Sequence, residues 1–166
     1  MRILIAVASK HGGTYGIATR LRTALGDLGH DANVMTIDGS RCPDNYDGYV
    51  VGAAVYGGHW MKDGRHFVHD NLVTLRAKPL WLFSSGPLGD HADTDTAVDH
   101  PEEIGTLAGA REHKVFAGRL FRKELGPVER VAAAAVHAPE GDFRDWAEID
   151  EWAGHIDAEL RELSHT

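Results

Sequence analysis

The sequence predicts an α/β protein, a three-layer sandwich in which helices cover both faces of a five-stranded parallel sheet. Apolar stretches of strand length alternate with segments of helical period, which is the pattern of such a sheet. The lengths of the elements favour the strand order 2-1-3-4-5 over the other common doubly wound arrangement. The 166 residues, 43% hydrophobic and 25% charged, suit a single globular domain over residues 1–166.

Five apolar runs are the predicted strands, at residues 3–8, 32–36, 49–54, 80–84 and 114–117. Between the first two runs, Ile17, Leu21 and Leu25 form one apolar stripe of helical period, and Gly29 marks the end of that helix. Apolar residues at helical spacing predict a second helix over 67–75, and 101–108 is a short third helix.

The last helix carries the clearest start signal. Asp145 is the predicted N-cap, and Glu148 three residues later completes a capping-box-like pair. Trp146, Trp152 and further apolar residues up to Leu163 then fall on one helical face. Both tryptophans are therefore expected to be core residues that pack on the sheet.

Composition and charge exclude several classes of protein. A net charge of −8 argues against nucleic-acid binding, which requires clustered Lys and Arg. A single cysteine, Cys42, excludes an intrachain disulfide and a multi-cysteine metal centre. The apolar run at the start is too short to cross a bilayer, so we expect a cytoplasmic protein with at most peripheral membrane contact.

In a sheet of this order, ligands bind outside the carboxyl ends of the strands. The loop after the first strand combines two glycines, two hydroxyls and the start of a helix, whose unpaired amides form a phosphate seat. It lacks the spacing of a dinucleotide-binding or P-loop motif. The predicted phosphate-binding residues are Ser9, Lys10, His11, Gly12, Gly13 and Thr14.

Residues 5–21 resemble the flavodoxin FMN-phosphate signature. The family spacing is matched by Ser9, Gly12, Thr14, Ala18 and Leu21. The segment departs from the family at Ala6 and Val7, which are strand positions, and at Lys10 and His11, because flavodoxins tend to hold the phosphate without cationic side chains. The resemblance implies a flavodoxin-like fold and FMN as the cofactor.

The loop after the third strand matches the second flavin loop of that family. A flavin ring is flat and partly apolar, so it needs aromatic faces and backbone groups for its heteroatoms. Tyr56 and Trp60 are the expected stacking residues, and Gly57 is expected to face N5 of the ring. The whole predicted loop comprises Val55, Tyr56, Gly57, Gly58 and Trp60.

The loop after the fourth strand is expected to bind the pyrimidine edge of the ring, because small residues let the backbone approach it. Its predicted binding residues are Ser85, Gly86, Pro87, Leu88 and Gly89. No catalytic acid–base pair is predicted.

We predict no metal site. His66 and His69 share a helical face but lack a third ligand, and residues 90–95 lack the glycine and terminal Glu of an EF-hand. A receiver domain would need an acidic residue where Ala53 and Ala54 stand, and a low-molecular-weight phosphatase would need a cysteine in the first loop.

Beyond the phosphate loop, the chain is most similar to the menaquinone-dependent protoporphyrinogen oxidase branch of this family. The similarity lies in residues 81–84, 115–120 and 142–146, whereas residues 121–139 form a shorter and less basic segment than in that branch. The resemblance implies an FMN-binding redox protein whose partner is a redox protein or a quinone. The alternatives are a flavin-dependent oxidoreductase of this branch and a non-redox module that retains the fold.

Overall fold

The computed structural model describes residues 1–56, 58–86, 100–135, 137 and 140–166. Its elements, in chain order, are β1 (Arg2–Ala8), α1 (Gly13–Asp27), β2 (Asp31–Thr36), β3 (Gly48–Tyr56), β4 (His59–Trp60), α2 (Lys62–Asp70), α3 (Leu72–Arg76), β5 (Leu80–Ser85), α4 (Pro101–Ala108), β6 (Glu112–Phe116), β7 (Arg119–Leu120), a 3₁₀ turn (Arg122–Glu124), α5 (Pro127–Ala135), β8 (Gly141–Asp142) and α6 (Trp146–Ser164).

The five long strands form the predicted parallel sheet. Their spatial order is β2-β1-β3-β5-β6, which is 2-1-3-4-5 when these strands alone are counted along the chain. β1 lies between its two partners, with Ile3 opposite both Ala32 and Gly48. The predicted order and fold class are therefore confirmed. The short β4 pairs antiparallel with the end of β3 and closes a hairpin there.

Side chains point alternately to the two faces of the sheet, so the core is divided into two clusters, one on each face. On one face, Ile3 and Ile5 of β1 pack in a cluster with residues of α1 and α6. On the other face, Leu4 and Ala6 belong to a second cluster with residues of α2, α3 and α4. Because successive strand residues point to opposite faces, one buried strand supplies both clusters and the molecule has three layers.

The first helix begins at the predicted phosphate loop. Gly12 has φ of +79°, a left-handed conformation that glycine adopts without strain, and α1 starts at the next residue. At the other end Gly29 has φ of +94°, and the amide of His30 donates to the Leu25 carbonyl oxygen at 3.0 Å. This arrangement confirms the predicted end of the helix.

The predicted helix over 67–75 is two helices, because Asn71 interrupts it. The buried Asn71 side chain donates from Nδ2 to the Phe67 carbonyl oxygen at 2.8 Å and accepts the Cys42 amide at Oδ1 at 3.0 Å. Its backbone has φ of −120°, outside the helical range. The fifth strand also differs slightly from the prediction, since β6 begins at Glu112 and ends before Ala117.

The last helix starts as predicted, with Asp145 Oδ1 accepting the amides of Ala147 and Glu148 at 3.0 and 3.2 Å. The Glu148 carboxylate itself pairs with Lys114 on β6 at 3.1 Å. Trp152 is buried as expected, but Trp146 is 39% exposed and lies beneath the Arg144 guanidinium, 4.6 Å from the ring centroid. The expectation that Trp146 is a core residue is therefore wrong, because its ring lies at the surface between Arg144 and the Gly16 position of α1.

Five elements near the carboxyl edge are absent from the sequence-based prediction: β4, the 3₁₀ turn, α5, and the strands β7 and β8, which form a two-stranded ribbon. None of the helices in the described ranges is both long enough and apolar enough to cross a membrane.

Candidate functional site

A cavity of about 730 Å³ opens at the carboxyl edge of the sheet. The loops after β1, β3 and β5 form its inner wall, and the chain from Gly118 to Ala133 forms its outer wall. This volume lies within the range of small-molecule and cofactor sites. The loops that the sequence singled out therefore converge on one cavity.

The first loop presents unpaired polar groups to this cavity. No side chain caps the start of α1, so the amides of its first turn are available to a ligand. Thr14 is 3% exposed, and Ser9 Oγ is buried without a hydrogen-bond partner in the described ranges. Because an unpaired buried hydroxyl is costly, the loop is suited to an acceptor such as a phosphate oxygen.

The two cationic residues of this loop are held by Glu129 of α5. Lys10 Nζ donates to Glu129 Oε1, and His11 Nε2 lies 3.0 Å from Glu129 Oε2. The same carboxylate accepts the Gly126 amide at 3.0 Å. The hydrogen bond from Lys10, followed by the Gly126 amide and then His11, lowers the pKa of Glu129 to about 2. Glu129 is therefore ionised at neutral pH and links α5 to the first loop.

In the second loop, Tyr56 is 43% exposed and borders the cavity. Burial of its hydroxyl and the charge of Glu129 raise the pKa of Tyr56, so the phenol is neutral at physiological pH. Val55 is half-buried, and Gly58 has φ of +81° in the turn between β3 and β4. Gly57 lies outside the described residues.

Trp60 does not occupy the stacking position that the sequence predicted for it. It borders the cavity, but its side chain belongs to the core and is only 1% exposed. Its indole Nε1 donates to Ser84 Oγ at 2.7 Å. Pairing of β4 with β3 turns the ring inward, because Val55 and Trp60 are opposite each other in that hairpin. The ring is therefore a packing anchor and has no free face for a flavin.

The third loop is fixed by main-chain contacts. The Gly86 amide donates to the Phe116 carbonyl oxygen at 3.0 Å, and Gly86 has φ of +73°. A Cβ on Gly118 would lie 3.1 Å from Ser85 Oγ and 3.2 Å from the Gly86 nitrogen, so only glycine fits there without displacing the loop. Pro87, Leu88 and Gly89 lie outside the described residues, as do residues 90–95.

Behind this loop, Ser84 links two strands through a buried hydrogen-bond chain. Indole N–H groups only donate, so Ser84 Oγ accepts from Trp60 and is free to donate to His113 Nε2 at 2.6 Å. Burial lowers the pKa of His113, although Glu102 and Glu112 partly oppose the shift. His113 is thus held neutral as an acceptor.

The outer wall of the cavity is what sequence reasoning missed. It is formed by Arg119, Leu120, Phe121, Glu124, Leu125, Val128 and Glu129. Val128 is 82% exposed and apolar, whereas Arg119 lies against the two glycines of the first loop. An apolar pattern at helical spacing in 125–133 was the available signal, although the segment is short.

Residues of the cavity fit FMN on three counts. Ser9 offers a hydroxyl without a partner in the described ranges, the uncapped start of α1 after Gly12 offers main-chain amides, and Tyr56 presents an aromatic surface. Small residues at Ser85 and Gly86 allow main-chain groups to reach a heterocycle. FMN ends in a phosphate monoester, so its binding does not need the motifs that bind the pyrophosphate of a dinucleotide.

Comparison with known proteins agrees with this fit. The profile of the flavodoxin domain family matches residues 4–146. Protoporphyrinogen IX dehydrogenase [quinone] of Escherichia coli K12 is 31% identical, over 94% of each chain.

Solved structures show the same fold at lower identity. A flavodoxin from the domain Archaea superposes with a TM-score of 0.64 at 12% identity, covering 97% of this chain and 99% of that one. The flavodoxin of Streptococcus pneumoniae TIGR4 gives 0.59 at 20% identity, covering 98% and 99%. Rubredoxin oxygen:oxidoreductase of Desulfovibrio gigas gives 0.64 at 13% identity, and the present chain spans about a third of its length. The chain belongs to the flavodoxin family of FMN-binding redox proteins.

Proposed function

We propose that FMN binds in the cavity at the carboxyl edge with its phosphate in the first loop and its ring beside Tyr56. The unpaired Ser9 hydroxyl and the uncapped start of α1 support the position of the phosphate. The proposed contacts are Ser9, Gly12, Gly13 and Thr14 for the phosphate, Tyr56 for the ring face, and Ser85 and Gly86 for its polar edge.

When bound, FMN supplies the electron-transfer chemistry, and the protein tunes and orients it. The first loop holds the phosphate through neutral donors, while Gly118 keeps the third loop at a fixed distance from β6. The neutral Tyr56 phenol offers an apolar face without adding charge to the cavity. Each of these groups binds or orients the cofactor, and none of them needs to transfer a proton.

We further propose that the chain is an oxidoreductase that passes electrons from a reduced substrate to a quinone. The apolar outer wall carries this proposal: Leu125 and Val128 face the same cavity as Tyr56, so a flat apolar acceptor has a place beside the flavin. The name of the E. coli relative includes a quinone, which agrees with such an acceptor. Protoporphyrinogen IX is the substrate we would test first.

A second candidate is a carrier that exchanges single electrons with protein partners. The net charge of −8 favours this reading, because an acidic surface steers association with basic partners. We propose a cytoplasmic location, with membrane contact that is at most peripheral, for either function. Cys42 is a buried free thiol, and burial raises its pKa to about 11, so it remains a reduced and unreactive group.

Three measurements on the purified chain test the proposal. A flavin absorption spectrum, with FMN identified by mass after release, is expected. The FMN-loaded protein should then oxidise protoporphyrinogen IX with menadione as acceptor and without a protein partner. A carrier would instead show two well-separated one-electron steps in a redox titration and no such turnover. A colourless chain that FMN cannot reconstitute would contradict both functions.

Substitution of the outer wall tests the quinone position. Val128→Glu places a charge on the apolar wall, and we expect the half-saturating menadione concentration to rise roughly tenfold with FMN affinity unchanged. Val73→Glu is the matched control, since Val73 is similarly exposed, at 88%, on the remote helix α3. Equal effects of the two substitutions would remove the quinone from this wall.

A further inference from the structure

We infer that Arg119 is a cationic ligand of the FMN phosphate. The inference rests on the proposed position of FMN and adds a residue to that site. Arg119 belongs to β7, where it pairs with Asp142 of β8, and not to any of the three loops after the sheet strands.

The ribbon of β7 and β8 places this side chain directly against the first loop. Arg119 Nη2 donates to the His11 carbonyl oxygen at 2.7 Å. A Cβ on Gly13 would lie 3.2 Å from Arg119 Cγ and 3.8 Å from its Nε, and a Cβ on Gly12 would lie 3.5 Å from Nη2. The guanidinium therefore covers the two glycines at which the helix starts.

Arg119 has a donor that no other described group satisfies. Its Nε is buried and has no hydrogen-bond partner within the described part of the chain. Glu124 Oε1 lies 3.4 Å from Nη2, beyond the usual length of a charge-assisted hydrogen bond. Ser9 Oγ, in the loop that Arg119 covers, is also buried and has no partner among the described residues. Two unsatisfied donors around one helix start indicate an acceptor with several oxygens, such as a phosphate monoester.

The charges around the loop also favour Arg119 over its neighbours. Lys10 is already paired with the Glu129 carboxylate, which also contacts His11, so neither side chain is without a partner in the protein. Arg119 pairs less closely, with Glu124 at 3.4 Å and with the charge of Asp142 across the ribbon, and its side chain is 25% exposed. A guanidinium in this position attracts the phosphate and gives no comparable attraction to the uncharged ring.

Riboflavin separates binding of the phosphate from binding of the ring, because it carries the same ring without the phosphate. We expect Arg119→Gln to weaken FMN binding roughly tenfold to a hundredfold, while riboflavin affinity stays within about twofold. The dependence of the FMN dissociation constant on salt should become shallower in this variant. Arg122→Gln is the control, since it removes an equal charge from the exposed 3₁₀ turn three residues away.

Three results would overturn the inference: no change in FMN affinity, equal losses for FMN and riboflavin, or an equal effect of Arg122→Gln. An equal loss for both ligands would mean that Arg119 only holds the loop through His11. Arg119→Lys gives a second reading if the glutamine variant does not fold, because it keeps the charge but lacks Nε. It should lose at least about threefold in FMN affinity with riboflavin unaffected. Failure of the unmodified chain to bind FMN would refute the proposed site instead.

Discussion

Single residues in the cavity carry polar groups that no other described residue satisfies. Ser9 Oγ is the clearest of them, since it is buried and unpaired in the described structure. The sequence identified Ser9 from its spacing to Gly12 and Thr14, and its role in phosphate binding stays a prediction. Trp60 is the opposite case, because its position after β3 suggested stacking while its side chain is buried in the core.

Ser9→Ala should separate stability from binding. Removal of an unpaired buried hydroxyl should raise the free energy of unfolding of the FMN-free protein by about 1 kcal/mol. The same change should weaken FMN binding roughly tenfold, because the hydroxyl would no longer donate to the phosphate. Urea denaturation and fluorescence titration measure the two effects. Ser164→Ala, remote on α6, serves as the control for binding, and reduced stability of Ser9→Ala would contradict the prediction.

His113 makes stability depend on pH. Burial holds its folded-state pKa below the ordinary value of 6.5, so the unfolded chain binds more protons as the pH falls through this value. The free energy of unfolding should therefore decrease between pH 7.5 and 5.5. His113→Gln keeps an acceptor for Ser84 without titrating, so its stability should change less over that interval. Urea denaturation at both pH values tests this, with the exposed His155→Gln as control. An unchanged pH slope in His113→Gln would argue against the role of His113.

At the scale of elements, the spacing of apolar residues predicted the strands and helices that pack in the core. Buried strands such as β1 and β5 were found to within a residue or two, because nearly every position in them is apolar. The break at Asn71 was missed because it depends on a hydrogen bond to Cys42, 29 residues away. The local pattern of α5 is short, and its position against the first loop depends on the long-range contacts of Glu129 with Lys10 and His11.

Two glycines in helices should respond oppositely to alanine. A Cβ on Gly64 in α2 would lie 2.9 Å from the Ala53 Cβ, so Gly64→Ala should lower the free energy of unfolding by about 1–3 kcal/mol. Beyond its own stretch of helix, no described residue comes within 4 Å of the Cβ position of Gly154 in α6, and Gly154→Ala should raise stability by up to about 1 kcal/mol through helix propensity. Denaturant titration of both variants checks the pair, and effects of the same sign would contradict this packing.

At the scale of the whole molecule, we expect a cofactor bound at the carboxyl edge of the sheet to raise the stability of the whole fold. Loops after β1, β3 and β5 border one cavity, so a ligand there contacts several strands of the sheet at once. The order of the strands was predictable from the lengths and sequence of the elements. The outer wall was not, since it depends on the ribbon that joins Arg119 to Asp142.

FMN should stabilise the folded chain by mass action. At a free concentration one hundred times its dissociation constant, the expected gain is about 2.7 kcal/mol. For a chain of this size that gain corresponds to a rise in melting temperature of roughly 5–11 °C. Thermal denaturation with FMN checks this, and riboflavin at the same concentration should give a smaller rise. Equal shifts for the two flavins would show that the phosphate is not recognised.

The β7–β8 ribbon has a consequence for how this fold diversifies. Leu120 pairs with Gly141, so the two ends of the segment between β7 and β8 lie side by side. A segment anchored in this way can lengthen at an entropic cost of only about 0.6 kcal/mol per doubling. We therefore expect related chains to differ in length between β7 and β8 without change to the sheet, and such differences would alter the size and polarity of the outer wall of the cavity.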